Sequence, residues 1–156
     1  MPTCTSDSNR RIPRPTRSCR LTEAKARPFE WPVRVYYEDT DAQGVVYYAN
    51  YFRFLERART EWLRSLGVDM VRLMEEDRRI FVVAEVQARF LLAARLSEEL
   101  IVTAKLDKLT RVSFDIEQNI HRRGDGKMLL QARVKAAYLD ADTMRPKRIP
   151  TSLFGE

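Results

Sequence analysis

Residues 36–59 read YYEDTDAQGVVYYANYFRFLERAR, and two periodicities meet inside this stretch. On its N-terminal side Val33, Val35 and Tyr37 alternate with Arg34, Tyr36 and Glu38, the period of a strand with one buried face. On its C-terminal side Tyr48, Tyr51, Phe52, Leu55, Ala58, Trp62 and Leu66 recur at steps of three and four, with Gly67 beyond them as a stop. That spacing predicts a helix of about 17 residues, about 25 Å long. Its large aromatics spread over a wide face, which marks a core helix. Between strand and helix runs a polar turn from Asp39 to Gly44.

Working outward, Asp69 can cap a short second helix to about Asp77. The remainder alternates as strands. Val82, Ala84, Val86, Ala88 and Phe90 share one face, then Leu100, Val102, Ala104 and Leu106, then Val112, Phe114, Ile116, Gln118 and Ile120. Gly124-Asp125-Gly126 supplies a hairpin turn into Met128, Leu130, Ala132, Val134, Ala136 and Tyr138. The order is one strand, a long helix, then four strands expected in a meander. A helix lying in an antiparallel sheet makes an α+β domain over residues 29–156.

Upstream, residues 1–28 are rich in Pro, Ser, Thr and Arg and carry seven basic side chains against two acidic ones. With almost no periodic apolar positions, they are expected to be a disordered extension. The remaining 128 residues hold 21 basic and 20 acidic side chains, so the net charge of +6 resides mostly in the extension. A nucleic-acid-binding domain needs its charge excess on the folded part, so no nucleic-acid partner is expected. No apolar run approaches the roughly 20 residues of a membrane span, and no secretory leader is expected. Cys4 and Cys19 both lie in the extension, leaving the domain no disulfide, no thiolate nucleophile and no cysteine zinc site. This usage fits a cytoplasmic protein.

The inventory narrows the chemistry further. The single histidine, His121, sits beside the basic hairpin Arg122-Arg123-Gly124, a poor place for a rigidly held base. Without it, Ser-His-Asp and Cys-His systems have no base. No G-x-S-x-G elbow, metal-ligand spacing or glycine-rich phosphate loop is present. An enzyme built from these residues must use a carboxylate or a tyrosine. The dense polar constellation is the turn itself, where Glu38, Asp39 and Asp41 put three carboxylates within four residues ahead of a helix start. Two readings stay open. Asp39, Thr40 or Asp41 could cap the helix, or the unpaired amides of that helix start could stabilise a developing oxyanion.

The stretch also resembles a known family. D-x-D-x-x-G-V-V-Y over residues 39–47, followed by E-x-A-R at Glu56 to Arg59, is similar to the signature of the 4-hydroxybenzoyl-CoA thioesterase superfamily. The likeness is greatest to its YbgC-type branch, associated with the Tol-Pal system, and spans about residues 29–152, including Arg145-Pro146-Lys147-Arg148-Ile149-Pro150. The resemblance implies a hotdog fold, in which an antiparallel sheet wraps one long helix and subunits pair as a homodimer or homotetramer. It implies cleavage of an acyl-CoA thioester, short-chain or aromatic, without metal or organic cofactor. An acyl-carrier-protein thioesterase and a non-catalytic acyl-CoA-binding subunit are the alternatives; a hydratase is disfavoured because it needs a histidine.

By the same resemblance, Asp41 occupies the catalytic aspartate position and Tyr37 an active-site tyrosine position. Gly44, Val46 and Tyr48 form the turn whose amides polarise the carbonyl. Tyr48 stands where YbgC-type relatives often have histidine. Glu56 is a secondary carboxylate candidate, its plainer role being an ion pair with Arg59. Lys108 and Arg111 are the candidates for the CoA phosphates. An aspartate acting as general base works best with a pKa about three units above its ordinary value, a shift of about 4 kcal/mol. Direct attack by an ionised carboxylate requires no such shift, which favours the nucleophilic route through a mixed anhydride.

Overall fold

The computed structural model describes residues 27–154. Of the stretch 1–28 expected to be disordered, all but Arg27 and Pro28 lies outside the described residues. The elements run β1 (Phe29–Arg34), a 3-10 turn (Tyr37–Asp39), α1 (Asn50–Ser65), α2 (Met70–Glu75), β2 (Arg79–Phe90), β3 (Glu99–Leu109), β4 (Ser113–Arg122), β5 (Met128–Asp140) and a closing 3-10 turn (Thr151–Phe154). The strands form one antiparallel sheet in the order β1-β3-β4-β5-β2. With the long helix α1 packed along it, this is the expected hotdog arrangement.

Strand order is the first correction. β3, β4 and β5 do meander, but β2 pairs with β5 from Arg79↔Asp140 to Phe90↔Leu130 and becomes an edge. Alternation reports which face a residue takes and says nothing of which strand lies beside it. The phase of β2 also shifts: a bulge between Val83 and Glu85 breaks the single face expected from Val82 to Phe90. β1 forms the other edge and tolerates Pro32, which has no N–H to donate. It ends at Arg34, before Tyr37. Asp39 terminates the extended run by accepting the Tyr36 N–H at Oδ2 (2.9 Å), and Tyr37 opens the 3-10 turn instead.

α1 is 16 residues long, about 24 Å. Its buried face is Tyr51, Phe54, Leu55, Ala58, Trp62 and Leu63. Phe54 and Leu63 replace the expected Tyr48, Phe52 and Leu66, which stay exposed. The first half of the helix packs with Val33, Leu100, Val102, Ile120 and Leu130. The second half packs with Phe114, Ile116, Ala136, Tyr138 and Phe154. Full burial of a side chain such as Phe54 or Leu100 contributes about 1.5–3 kcal/mol each. Asp69 caps α2 as expected, accepting the Val71 and Arg72 N–H groups at 3.0 Å.

Candidate active site

The turn Thr40–Val46 closes as a small antiparallel loop. Thr40 bridges Val46, the Asp41 N–H donates to the Val45 carbonyl (2.9 Å), and the Gly44 N–H donates to the Asp41 carbonyl (3.0 Å). Gly44 takes φ +77°, a conformation that disfavours side chains, which explains glycine at this point. Asp41 Oδ1 accepts the Gln43 N–H (2.8 Å), so the carboxylate orders its own turn while staying only half-buried. The capping alternative is not what the chain does. α1 has Ala49 at its N-cap position with no side-chain hydrogen bond there, while Asp39, Thr40 and Asp41 each bond within the preceding turns.

Contacts that the residue pattern did not announce tie this turn to the helix start. Asn50 Nδ2 donates to the Asp39 carbonyl (3.0 Å), which also accepts the Tyr47 N–H (2.9 Å). Tyr51 Oη accepts the Ala94 N–H (2.9 Å), and the Ala94 carbonyl accepts the Val46 N–H (2.9 Å). Arg122 braces that loop from behind through Glu98 Oε2 (3.1 Å) and the Ala93 carbonyl (3.0 Å). Neither the Tyr48 nor the Ala49 N–H donates to a backbone carbonyl among the described residues. Two amides at a helix start, where the peptide dipoles concentrate positive potential, are therefore available beside the Asp41 turn.

Aromatic side chains wall this region. Phe90, at the end of β2, meets Tyr48 (6.3 Å between ring centres), Tyr51 (5.8 Å) and Phe52 (6.3 Å), all edge-on. Burial pushes the Tyr51 phenol above its ordinary range, and the Tyr48 hydroxyl beside Tyr47 does the same for Tyr47. Both phenols are thus protonated near neutral pH. Tyr37 is 82% exposed and Tyr48 59%, so in a single chain the site is an open ledge. His121 lies half-buried on β4, opposite Met128.

Glu56 lies on α1, where it pairs with Arg59 Nη2 and accepts Thr60 Oγ1–H (2.9 Å). Arg59 is only 8% exposed, and its Nη1 donates to Oε1 of Gln118 (2.9 Å), whose Nε2 donates to the Leu55 carbonyl (3.0 Å). The plain ion-pair role of Glu56 is therefore real, extended inward to a fully buried glutamine that alternation had marked only as core. Beside this network a groove of about 490 Å³ runs between α1 and β2, floored by Phe52, Leu55, Val83, Val86 and Val134.

Lys108 and Arg111 are not brought to Asp41. β1 ends opposite the start of β3, with Arg34 facing Glu99, so the Asp41 turn lies at that end. Lys108 sits nine residues further along β3, about 30 Å away at about 3.3 Å per residue, and Arg111 is in the loop beyond it. The resemblance gave these two residues as candidates for the CoA phosphates, and in this chain they lie at the far end of β3 from the Asp41 turn.

Comparison with known proteins agrees with this architecture. The thioesterase-like superfamily matches residues 35–154. The acyl-CoA thioesterase YbgC of Haemophilus influenzae is 43% identical over 122 residues, covering 78% of this chain and 88% of that protein. The acyl-CoA thioester hydrolase YbgC of Escherichia coli is 40% identical over 128 residues, covering 82% and 94%. A probable thioesterase from Bartonella henselae superposes with a TM-score of 0.75 at 31% identity, covering 80% of this chain and all of that one. A 1,4-dihydroxy-2-naphthoyl-CoA thioesterase from Synechocystis, at 18% identity and TM-score 0.75, shares the fold. A helix-start turn held by these contacts, in a hotdog sheet that matches such relatives over most of its length, places the chain in the thioesterase-like superfamily, in its YbgC-type branch.

Proposed function

We propose that this thioester hydrolase acts on acyl-CoA, releasing a short-chain or aromatic acid and CoA, with Asp41 as the reacting carboxylate. The observation that carries the reading is the tight Asp41–Val45 loop beside two helix-start amides without backbone acceptors. In this reading the Tyr48 amide polarises the thioester carbonyl, and Gly44 and Val46 hold the turn that presents it. An Asp41 oxygen attacks the carbonyl carbon, the carbon–sulfur bond breaks, and CoA leaves as thiolate and takes a proton from solvent. Water then opens the mixed anhydride and restores the carboxylate. General-base activation of water by Asp41 is the competing route. Hydrolysis in oxygen-18 water separates them, because label enters Asp41 over several turnovers only if the anhydride forms.

Tyr37 stands at the rim as a contact for the acyl group. β2 leaves Val83, Val86 and Phe90 exposed along a sheet edge, the kind of surface that a second copy covers in a homodimer or homotetramer. No helix among the described residues is long and apolar enough to cross a membrane, which is compatible with a cytoplasmic enzyme. The thioesterase domain is assigned to residues 29–156, with residues 1–28 outside it.

The test is hydrolysis of a short panel of acyl-CoA and acyl-carrier-protein thioesters by wild type and Asp41→Asn. Asparagine keeps the Oδ1 acceptor for the Gln43 N–H, so folding is retained while kcat falls about 10²–10⁴-fold. Undiminished activity in the variant removes Asp41 from the chemistry. Inactivity of the wild type on every thioester makes the chain a binding subunit.

A further inference from the structure

Resting on the Asp41 reading, we infer that Tyr51 is a positioning residue for thioester cleavage: its hydroxyl fixes Ala94, and Ala94 fixes the limb of the turn that carries Asp41. Tyr51 lies in the first turn of α1, three residues after Tyr48. Helix side chains tilt toward the N-terminus, so its ring covers the helix start. The ring is 3% exposed, in a half of the core otherwise made of Val, Leu, Ile, Phe and Ala. A phenylalanine would fill the same space, and a buried hydroxyl costs stability unless it is hydrogen-bonded. This hydroxyl has one partner among the described residues, the Ala94 N–H at 2.9 Å. Ala94 is itself fully buried, so its amide depends on that acceptor.

The segment 91–98 joins β2 to β3 and is pinned at both ends. Its Leu91 N–H donates to the Leu129 carbonyl (2.8 Å), and its Ser97 N–H donates to the Val35 carbonyl (3.0 Å). Between these anchors the depth of Ala94 is set by Tyr51 from within, while Arg122 holds the Ala93 carbonyl from outside (3.0 Å). Ala94 passes this constraint on. Its carbonyl accepts the Val46 N–H (2.9 Å), Arg95 bridges Val45, and the Val45 carbonyl holds the Asp41 N–H (2.9 Å). Asn50 already ties the Asp39 limb of the turn to the helix start, and Tyr51 does the same for the Val45–Val46 limb. With both limbs held from the first turn of α1, the Asp41 carboxylate and the Tyr48 amide keep the separation that one thioester carbonyl must meet. A misplacement of about 1 Å at such a site costs up to about 100-fold in rate.

The experiment is Tyr51→Phe, which removes one oxygen and keeps the ring, assayed on the acyl-CoA that wild type hydrolyses fastest. kcat falls about 10- to 100-fold while KM stays within about twofold. Hydrogen exchange requires no turnover: the Val46 and Ala94 amides lose protection in the variant, and those of β4 keep theirs. Ile116→Val trims the other half of the core and leaves kcat unchanged at a comparable loss of stability. Arg122→Met releases the Ala93 carbonyl on the same segment and lowers kcat by about 3- to 10-fold; added to Tyr51→Phe it changes kcat by less than about twofold, because both act on one clamp. Wild-type kcat in Tyr51→Phe, undiminished protection at Val46, or an equal loss of kcat in Ile116→Val overturns the inference. So does disappearance of the alkaline limb of the pH–rate profile in Tyr51→Phe, which would make the phenol a proton donor. Asp41→Asn in the same assay separates the two readings. If it keeps full activity while Tyr51→Phe is slow, the carboxylate is removed from the chemistry and Tyr51 still positions the helix-start amides; an inactive Asp41→Asn beside a full-rate Tyr51→Phe does the reverse.

Discussion

A double-mutant cycle on Arg59 and Gln118 tests whether the buried polar chain under α1 is a unit. Gln118→Leu replaces the amide by an apolar side chain of similar size and leaves Arg59 Nη1, buried among core residues, without its 2.9 Å acceptor. A buried hydrogen bond to a charged group is worth about 1.5–3 kcal/mol, and orphaning the charge incurs most of that. Arg59→Met leaves the Gln118 oxygen unpaired, a further 1–3 kcal/mol or so, while Glu56 is largely released to solvent. In the double variant both polar groups are gone and leucine and methionine fill comparable volume, so its loss is close to that of one single variant. The expected coupling is about 2 kcal/mol, well above the roughly 0.5 kcal/mol within which independent sites add. Guanidinium unfolding at fixed protein concentration, followed by circular dichroism, measures all four corners. Additive losses, or a double variant weaker than the sum of the singles, would refute the reasoning.

Phe154→Ala removes a ring stacked on Trp62 (5.9 Å) and set edge-on to Phe114 (5.0 Å); a loss of about 3–5 kcal/mol is expected by denaturant unfolding. Gly44→Ala meets no atom within 4 Å, so its penalty is purely the left-handed backbone, about 1–2 kcal/mol, with kcat reduced because the Asp41 turn is displaced. Asn50→Ala deletes the 3.0 Å bond to the Asp39 carbonyl, which keeps the Tyr47 N–H; stability falls by about 0.5–1.5 kcal/mol, and kcat falls more than KM changes. Asp140 is held below the ordinary carboxylate range by the Thr143 N–H and hydroxyl, Asp125 by the Lys127 N–H and Asp142 by Arg78. Because these folded values are depressed, their stabilisation is present above about pH 4 and is lost as pH falls below it. Thermal unfolding across pH 2–7 shows the decline, and Asp140→Asn makes it shallower.

Much of the architecture could be read from order and period. The alternation of Leu100, Val102 and Ala104, and of Phe114, Ile116 and Ile120, reports β3 and β4 because burial on one face of a pleated strand repeats every second residue. The hairpin at Gly124-Asp125-Gly126 is equally local, with Gly126 at φ +70°. The Asp41 turn was visible as a carboxylate-rich break between two periods. Its grip on α1 was not, because Asn50 and Tyr51 look like ordinary helix residues until Asp39 and Ala94 are folded against them.

What the chain specifies locally is therefore the identity and phase of its elements and the turn that carries Asp41, since those depend on neighbours within a few residues. Tertiary structure alone decided that β2 crosses to pair with β5 and that Gln118 meets Arg59 across 59 residues of sequence. It also set Lys108 a sheet's length away from Asp41. The physical reason is common to all of these. Period fixes which way a side chain points, whereas its partner is chosen by packing distant segments into one core.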